Sequence, residues 1–220
     1  MPYSSSGFPS PLMALPAQPY RPTTPEAYLE WEEAQMDRHE FYRGEVFAMA
    51  GGTYTHSRIT ANVMSGLHAA LTGRGCHVLS GDMRVHVHEN GLYTYPDVSV
   101  VCGEPQFKTE RETTLVNPTL LVEVLSDSTE RYDRGTKFRL YRELESLQEY
   151  LLVAQRSRLV EVYRRDPQGW RLFDTDAEGR IELLSVGATL TMDAIYDGLE
   201  IPDREPPPEP EPPPEGMERF

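Results

Sequence analysis

The chain has 220 residues and a mass of 25.0 kDa, which suits one domain with modest extensions. Its formal charge of -14 and pI near 4.8 argue against a protein that grips nucleic acid tightly through a basic surface. No stretch approaches the ~18 uninterrupted apolar residues that a membrane-spanning helix needs. Met1 to Ala17 has neither a basic start nor a long apolar segment, unlike a signal peptide, so a cytoplasmic location is expected. Two cysteines, Cys76 and Cys102, are too few for a zinc site or a disulfide framework and read as small core residues in a reducing compartment.

In chain order, residues 1–22 are rich in Pro and Ser and read as a disordered extension. Thr24-Pro25-Glu26 opens a helix running to about Met36, with a threonine cap, proline in the first turn and acid near the positive helix end. Glu40 to Ala50 alternates around Arg43-Gly44, a hairpin that sets Glu40, Tyr42 and Glu45 on one face. Thr55 or Ser57 then caps a helix to about Leu71, with Ile59, Val63, Leu67 and Ala70 as its apolar stripe. Short strands follow near Cys76–Ser80 and Met83–His88, then an Asn90-Gly91 turn and a strand from Asp97. Residues 103–118 form a charged loop without periodicity. A strand at Leu120–Leu125 leads into a helix reaching about Glu143, and Leu147 to Val153 is a further strand. Val160–Tyr163, Trp170–Phe173 and Ile181–Leu184 read as a closing meander before a helical turn at Met192–Tyr196. The expected domain covers 23–202, and the Pro/Glu-rich stretch of 203–220 reads as a disordered, extended tail.

Two apolar runs carry acids. Asp97 opens Tyr95-Pro96-Asp97-Val98-Ser99-Val100-Val101, and Glu123 interrupts Leu120-Leu121-Val122-Glu123-Val124-Leu125. A carboxylate within an apolar strand is costly unless something pairs with it. Lys137, one of only two lysines in the chain, lies on the helix that follows. Two such acids and a lysine suggest a magnesium site with a helper ammonium group, the chemistry of a metal-dependent phosphodiesterase. The bland alternatives are concrete. Asp97 would be a turn residue at a strand start, and Glu123 would form a structural ion pair with Arg134, Lys137 or Arg139. His86 and His88 alternate on a strand, a weak signal for zinc.

The run Gly44-Glu45-Val46-Phe47-Ala48-Met49-Ala50-Gly51-Gly52 with His56, then Pro96-Asp97-Val98, then Val122-Glu123-Val124-Leu125-Ser126-Asp127-Ser128-Thr129, resembles a large bacterial family of restriction endonucleases in the PD-(D/E)XK nuclease superfamily. Asp133-Arg134-Gly135-Thr136-Lys137 with Tyr141, and Glu149-Tyr150-Leu151-Leu152-Val153, complete the pattern over roughly residues 24–200. Each motif is weak alone, but their order together is specific. The resemblance implies an α/β fold with a restriction-endonuclease-like core, a mixed β-sheet flanked by helices, and additional antiparallel strands. It implies an endonuclease that hydrolyses DNA phosphodiester bonds with Mg2+, or Mn2+ in its place. Asp97 and Glu123 would hold the metal, with the Val124 carbonyl as a further oxygen. Lys137 would polarise the nucleophile or the phosphate, and Glu45 would stand at the metal edge. The superfamily usually places its lysine two residues after the second acid, where this chain has Leu125, so Lys137 would reach back from the helix. His56, Arg84 and Arg134 would contact substrate, against the plainer roles of capping and salt bridging. Two copies would act together as a homodimer to cut both strands. The competing functions are an inactive nuclease-fold binding module, favoured by the acidic charge and by Leu125, and an interaction protein working through the Pro/Glu tail. Glu40 reads as structural and Glu45 alternatively as a solvent-facing hairpin acid.

Overall fold

The computed structural model describes residues 21–49, 51–175 and 179–203; most of the expected N-terminal extension and Pro/Glu tail lies outside these residues. Helix α1 (Pro25–Glu32) starts as expected, with the Thr24 hydroxyl accepting from the Ala27 amide at 3.3 Å. It stops four residues short of Met36 because the Glu32 carboxylate turns back to bond the His39 amide at 2.9 Å, drawing the chain into the next strand. Strands β1 (His39–Tyr42) and β2 (Glu45–Ala48) form the hairpin, and its tight turn needs positive φ at both Arg43 (49°) and Gly44 (82°). Helix α2 (Tyr54–Leu71) is capped by Thr53, two residues before the nearer of the expected caps. It buries Ile59, Val63, Leu67 and Leu71, each contributing about 1.5–3 kcal/mol by leaving water.

Beyond α2 run β3 (Cys76–Ser80), β4 (Arg84–Val87), β5 (Leu92–Thr94), β6 (Val98–Cys102), a short β7 (Thr114–Leu115) within the charged loop, and β8 (Leu120–Val124). The next helix is in three pieces: α3 (Glu130–Tyr132), a π turn (Asp133–Lys137) and α4 (Phe138–Tyr141). Strands β9 (Glu149–Val153), β10 (Val160–Asp166), β11 (Gly169–Phe173), β12 (Arg180–Leu183) and β13 (Ala188–Thr191) lead to α5 (Met192–Ile195).

The main sheet has the order β11-β10-β9-β8-β6-β3, with β8 and β9 parallel and its other pairs antiparallel. A second sheet has the order β2-β1-β5-β4-β7, while β12 and β13 form a separate two-stranded sheet among the described residues. The expected meander is therefore split between two sheets, and β13 was not foreseen. The fold is the mixed α/β architecture with flanking helices that the sequence implied. One face of the main sheet, through Val98, Val100, Val122 and Val124, packs on α2 and the β12–β13 pair. Approach there is close: a Cβ on Gly66 of α2 would meet Leu190 at 2.8 Å. The opposite face, through Val101, Leu121 and Leu152, packs on α4 and the second sheet. This alternation places Asp97 and Glu123, in step with Val101 and Leu121, on the face toward the broken helix.

The cysteine expectation is corrected. Register sets Cys76 of β3 opposite Cys102 of β6, and the two form a disulfide that closes a 26-residue separation. Loop closure of that length stabilises by about 3 kcal/mol in the chain-entropy account. Reduction, or Cys76→Ser with Cys102→Ser, should lower Tm by roughly 5–10 °C. An unchanged melting curve with and without dithiothreitol would show that the bridge contributes nothing.

Candidate active site

The site forms where β6 and β8 run side by side. Val98 pairs with Val122, so the next step along the register brings Asp97 level with Glu123 on the same face. Asp97 Oδ2 accepts from the Val124 amide at 2.7 Å and lies 3.1 Å from His56 Nε2 on the first turn of α2. The π turn aims Lys137 at the same place. Its Nζ lies 2.9 Å from Glu123 Oε1, 3.1 Å from Glu40 Oε1 and 3.7 Å from Asp133 Oδ1. Tyr141 donates to Glu123 Oε1 at 2.8 Å, and Thr94 donates to Glu40 Oε1 at 2.5 Å. These groups line a cleft of about 600 Å3 whose rim includes Ser126, Ser128, Thr129 and Gln155.

The electrostatics follow from crowding acids around one cation. Burial pushes the Glu123 carboxyl up to about 8; the Lys137 ammonium pulls it down, while Asp133 and Asp97 push it further up. Burial also raises Asp133, again against Lys137. Burial alone would lower Lys137, but Glu123, Glu40 and the other groups around it hold its ammonium well above the usual range. The bond to Asp97 raises His56 despite partial burial.

The structure brings together Asp97, Glu123, Lys137 and His56, and it keeps the other expected residues apart from them. Glu45 shares the face of Glu40, as its register requires, but sits exposed at the turn end opposite Tyr42 and does not line the cleft. Glu40, read as merely structural, stands in its place beside Lys137. The signal for it was available: Glu40 faces the same way as Tyr42, inward from β1. Arg84 is buried elsewhere, donating to Thr114, Tyr95 and Thr113, and Tyr95 passes the contact to Glu32. Arg134 points away from the cleft to Glu130 and Glu161. The rings of His86 and His88 meet edge-on, 5.8 Å apart, and burial pushes His86 down to about 4. Asp133 and Thr94 were not singled out, because a helical acid and a strand threonine look ordinary without their neighbours.

The model of the family described as "Uma2: Putative restriction endonuclease" matches residues 25–194. The chain belongs to this family. Two uncharacterized Synechocystis sp. proteins are similar to this Uma2 chain. The first, slr1290, is 40% identical over 185 residues, covering 84% of this chain and 96% of the relative. The second, sll1609, is 37% identical over 142 residues, covering 64% and 80%. A crystal structure described as a putative nuclease belonging to DUF820, from Anabaena variabilis, superposes with a TM-score of 0.61 at 17% identity, over 74% of this chain and 91% of that one. That likeness bears on the fold, which the Uma2 chain shares with a nuclease-like neighbour.

Proposed function

We propose that this Uma2 protein is a metal-dependent endonuclease that hydrolyses DNA phosphodiester bonds. One observation carries the reading: two carboxylates aligned on neighbouring strands, with an ammonium reaching Glu123 from the following helix. The donor set suits Mg2+ or Mn2+, since Asp97, Glu123 and the Val124 carbonyl are all hard oxygen ligands. Five cleft carboxylates against one lysine also leave negative charge for a divalent cation to neutralise. Among the described residues no three His, Cys, Asp or Glu side chains form a ready metal cage, so water and substrate oxygen would complete the sphere. The cation would polarise the scissile phosphate and lower the pKa of a bound water.

The protein's own groups have separable tasks. His56 and the Val124 amide fix the Asp97 carboxylate. Tyr141 orients Glu123, while Glu40 and Asp133 keep Lys137 charged and turned into the cleft. There the ammonium can hold the attacking water or offset charge on the phosphate. DNA is the proposed substrate, and two copies acting as a homodimer would cut both strands.

The test is nicking of supercoiled plasmid at low salt with Mg2+, Mn2+ or EDTA. Asp97→Asn should lower the rate by at least about a hundredfold, and cleavage should strengthen with rising pH, because burial holds the Glu123 carboxyl above its usual range and it must lose its proton to take a metal. If wild type and Asp97→Asn nick alike in every condition, the hydrolase reading fails and the closed Glu123–Lys137 ion pair favours a nuclease-fold binding module instead.

A further inference from the structure

We infer that the cleft takes an unpaired nucleotide of single-stranded DNA, with its base laid against Phe47. The inference rests on the phosphodiesterase reading and narrows its substrate. Phe47 is 46% exposed, belongs to none of the buried clusters, and sits on the edge strand β2. Register pairs it with Glu40, so its ring shares the face of the acid that holds Lys137 at 3.1 Å. Both residues line the cleft. A large ring left half in water beside reacting groups is a ready platform for a nucleobase, because every base offers a flat face to stack.

Charge points the same way. Among the described residues lining the cleft, the basic side chains are His56 and Lys137, and Lys137 is 5% exposed and enclosed by acids. Arg84 and Arg134, which could have tracked phosphates, are engaged elsewhere. A duplex is held chiefly by lysine and arginine neutralising two rows of phosphates. A chain of charge -14 with neutral hydroxyls on the cleft rim lacks that means of holding one there. Stacking does not depend on it. The cleft volume, about 600 Å3, is of the size that encloses a small ligand rather than a double helix.

The experiment compares cleavage of one short fluorescein-labelled oligonucleotide, single-stranded and annealed to its complement, by wild type, Phe47→Ala and Phe47→Trp. Wild type should cut the single strand faster than the duplex. Phe47→Ala should slow single-strand cleavage about tenfold without changing the melting temperature, and Phe47→Trp should restore it. Equal or faster cutting of the duplex, or full activity of Phe47→Ala, overturns the inference while leaving the nuclease reading intact. So does a change of oligomeric state in Phe47→Ala, by sedimentation, without a change in strand preference. If no DNA is cut at all, the nuclease reading fails, and fluorescence anisotropy of the same oligonucleotide decides the stacking separately. Single-strand binding that Phe47→Ala weakens supports the platform, and binding indifferent to Phe47 removes it.

Discussion

Glu123→Gln should abolish DNA cleavage and yet give a protein that melts later than wild type at pH 8. The second half follows from the acid surplus. Glu123 ionises at about 8 when folded, against an ordinary value of 4.5, so the folded state resists its charge. That cost is absent below pH 4.5, grows between 4.5 and 8, and is constant above. Glutamine carries no such cost. Its side-chain oxygen can still accept from Tyr141, and Lys137 keeps Glu40 and Asp133 as counter-ions. The gain should be on the order of 1–3 kcal/mol at pH 8 and should vanish near pH 4.5. Thermal melts of both proteins across pH 4.5–8 measure it. A variant less stable than wild type at pH 8 would mean that the Glu123–Lys137 pair is a net structural bond, and the case for Glu123 as a strained functional acid would be lost.

Lys137→Met should do the opposite. Removing the one ammonium leaves Glu40, Glu123 and Asp133 facing each other in a buried space. Breaking a buried pair from one side costs about 3–5 kcal/mol, because the remaining charge has no partner. The folded Lys137 titrates well above its ordinary 10.5, so its contribution is fully present below that value and fades only in more alkaline solution. The variant can escape part of the loss by protonating its acids, so the defect should shrink as pH falls toward 5. Urea unfolding at pH 8 and pH 5 separates the cases. Equal losses at both values would show that the lysine stem's packing, rather than its charge, is what matters.

The contrast between these two substitutions bears on what was legible in the sequence. Asp97 and Glu123 stand out because each breaks an apolar run, and strand alternation alone puts them on the same side as Leu121 and Val101. Lys137 stands out by scarcity. The inward direction of Glu40 is legible in the hairpin alternation, but its partners are not: the pairing of β1 with β5 brings Thr94 to it, and the π turn brings Lys137. Glu45 fits the motif and shares the face of Glu40, but at the turn end of β2 it lies exposed and beyond the cleft. The disulfide was hidden for a similar reason: 26 residues separate the cysteines, and only the β3–β6 register makes them adjacent. Alternation, caps and turns are local and can be read along the chain; strand partners are not.

The π turn at Asp133–Lys137 has a geometric effect of its own. In an α-helix four residues overshoot a full turn by about 40°, so side chains four apart drift steadily around the axis. A π turn takes more residues per revolution and winds that drift back. Asp133, Lys137 and Tyr141, spaced four apart, therefore stay in one column over the sheet, where all three reach the Glu123–Lys137 centre. Phase along the helix, as much as residue identity, is what the cleft depends on. A chain one residue shorter within that turn could keep every side chain named above and still lose their convergence.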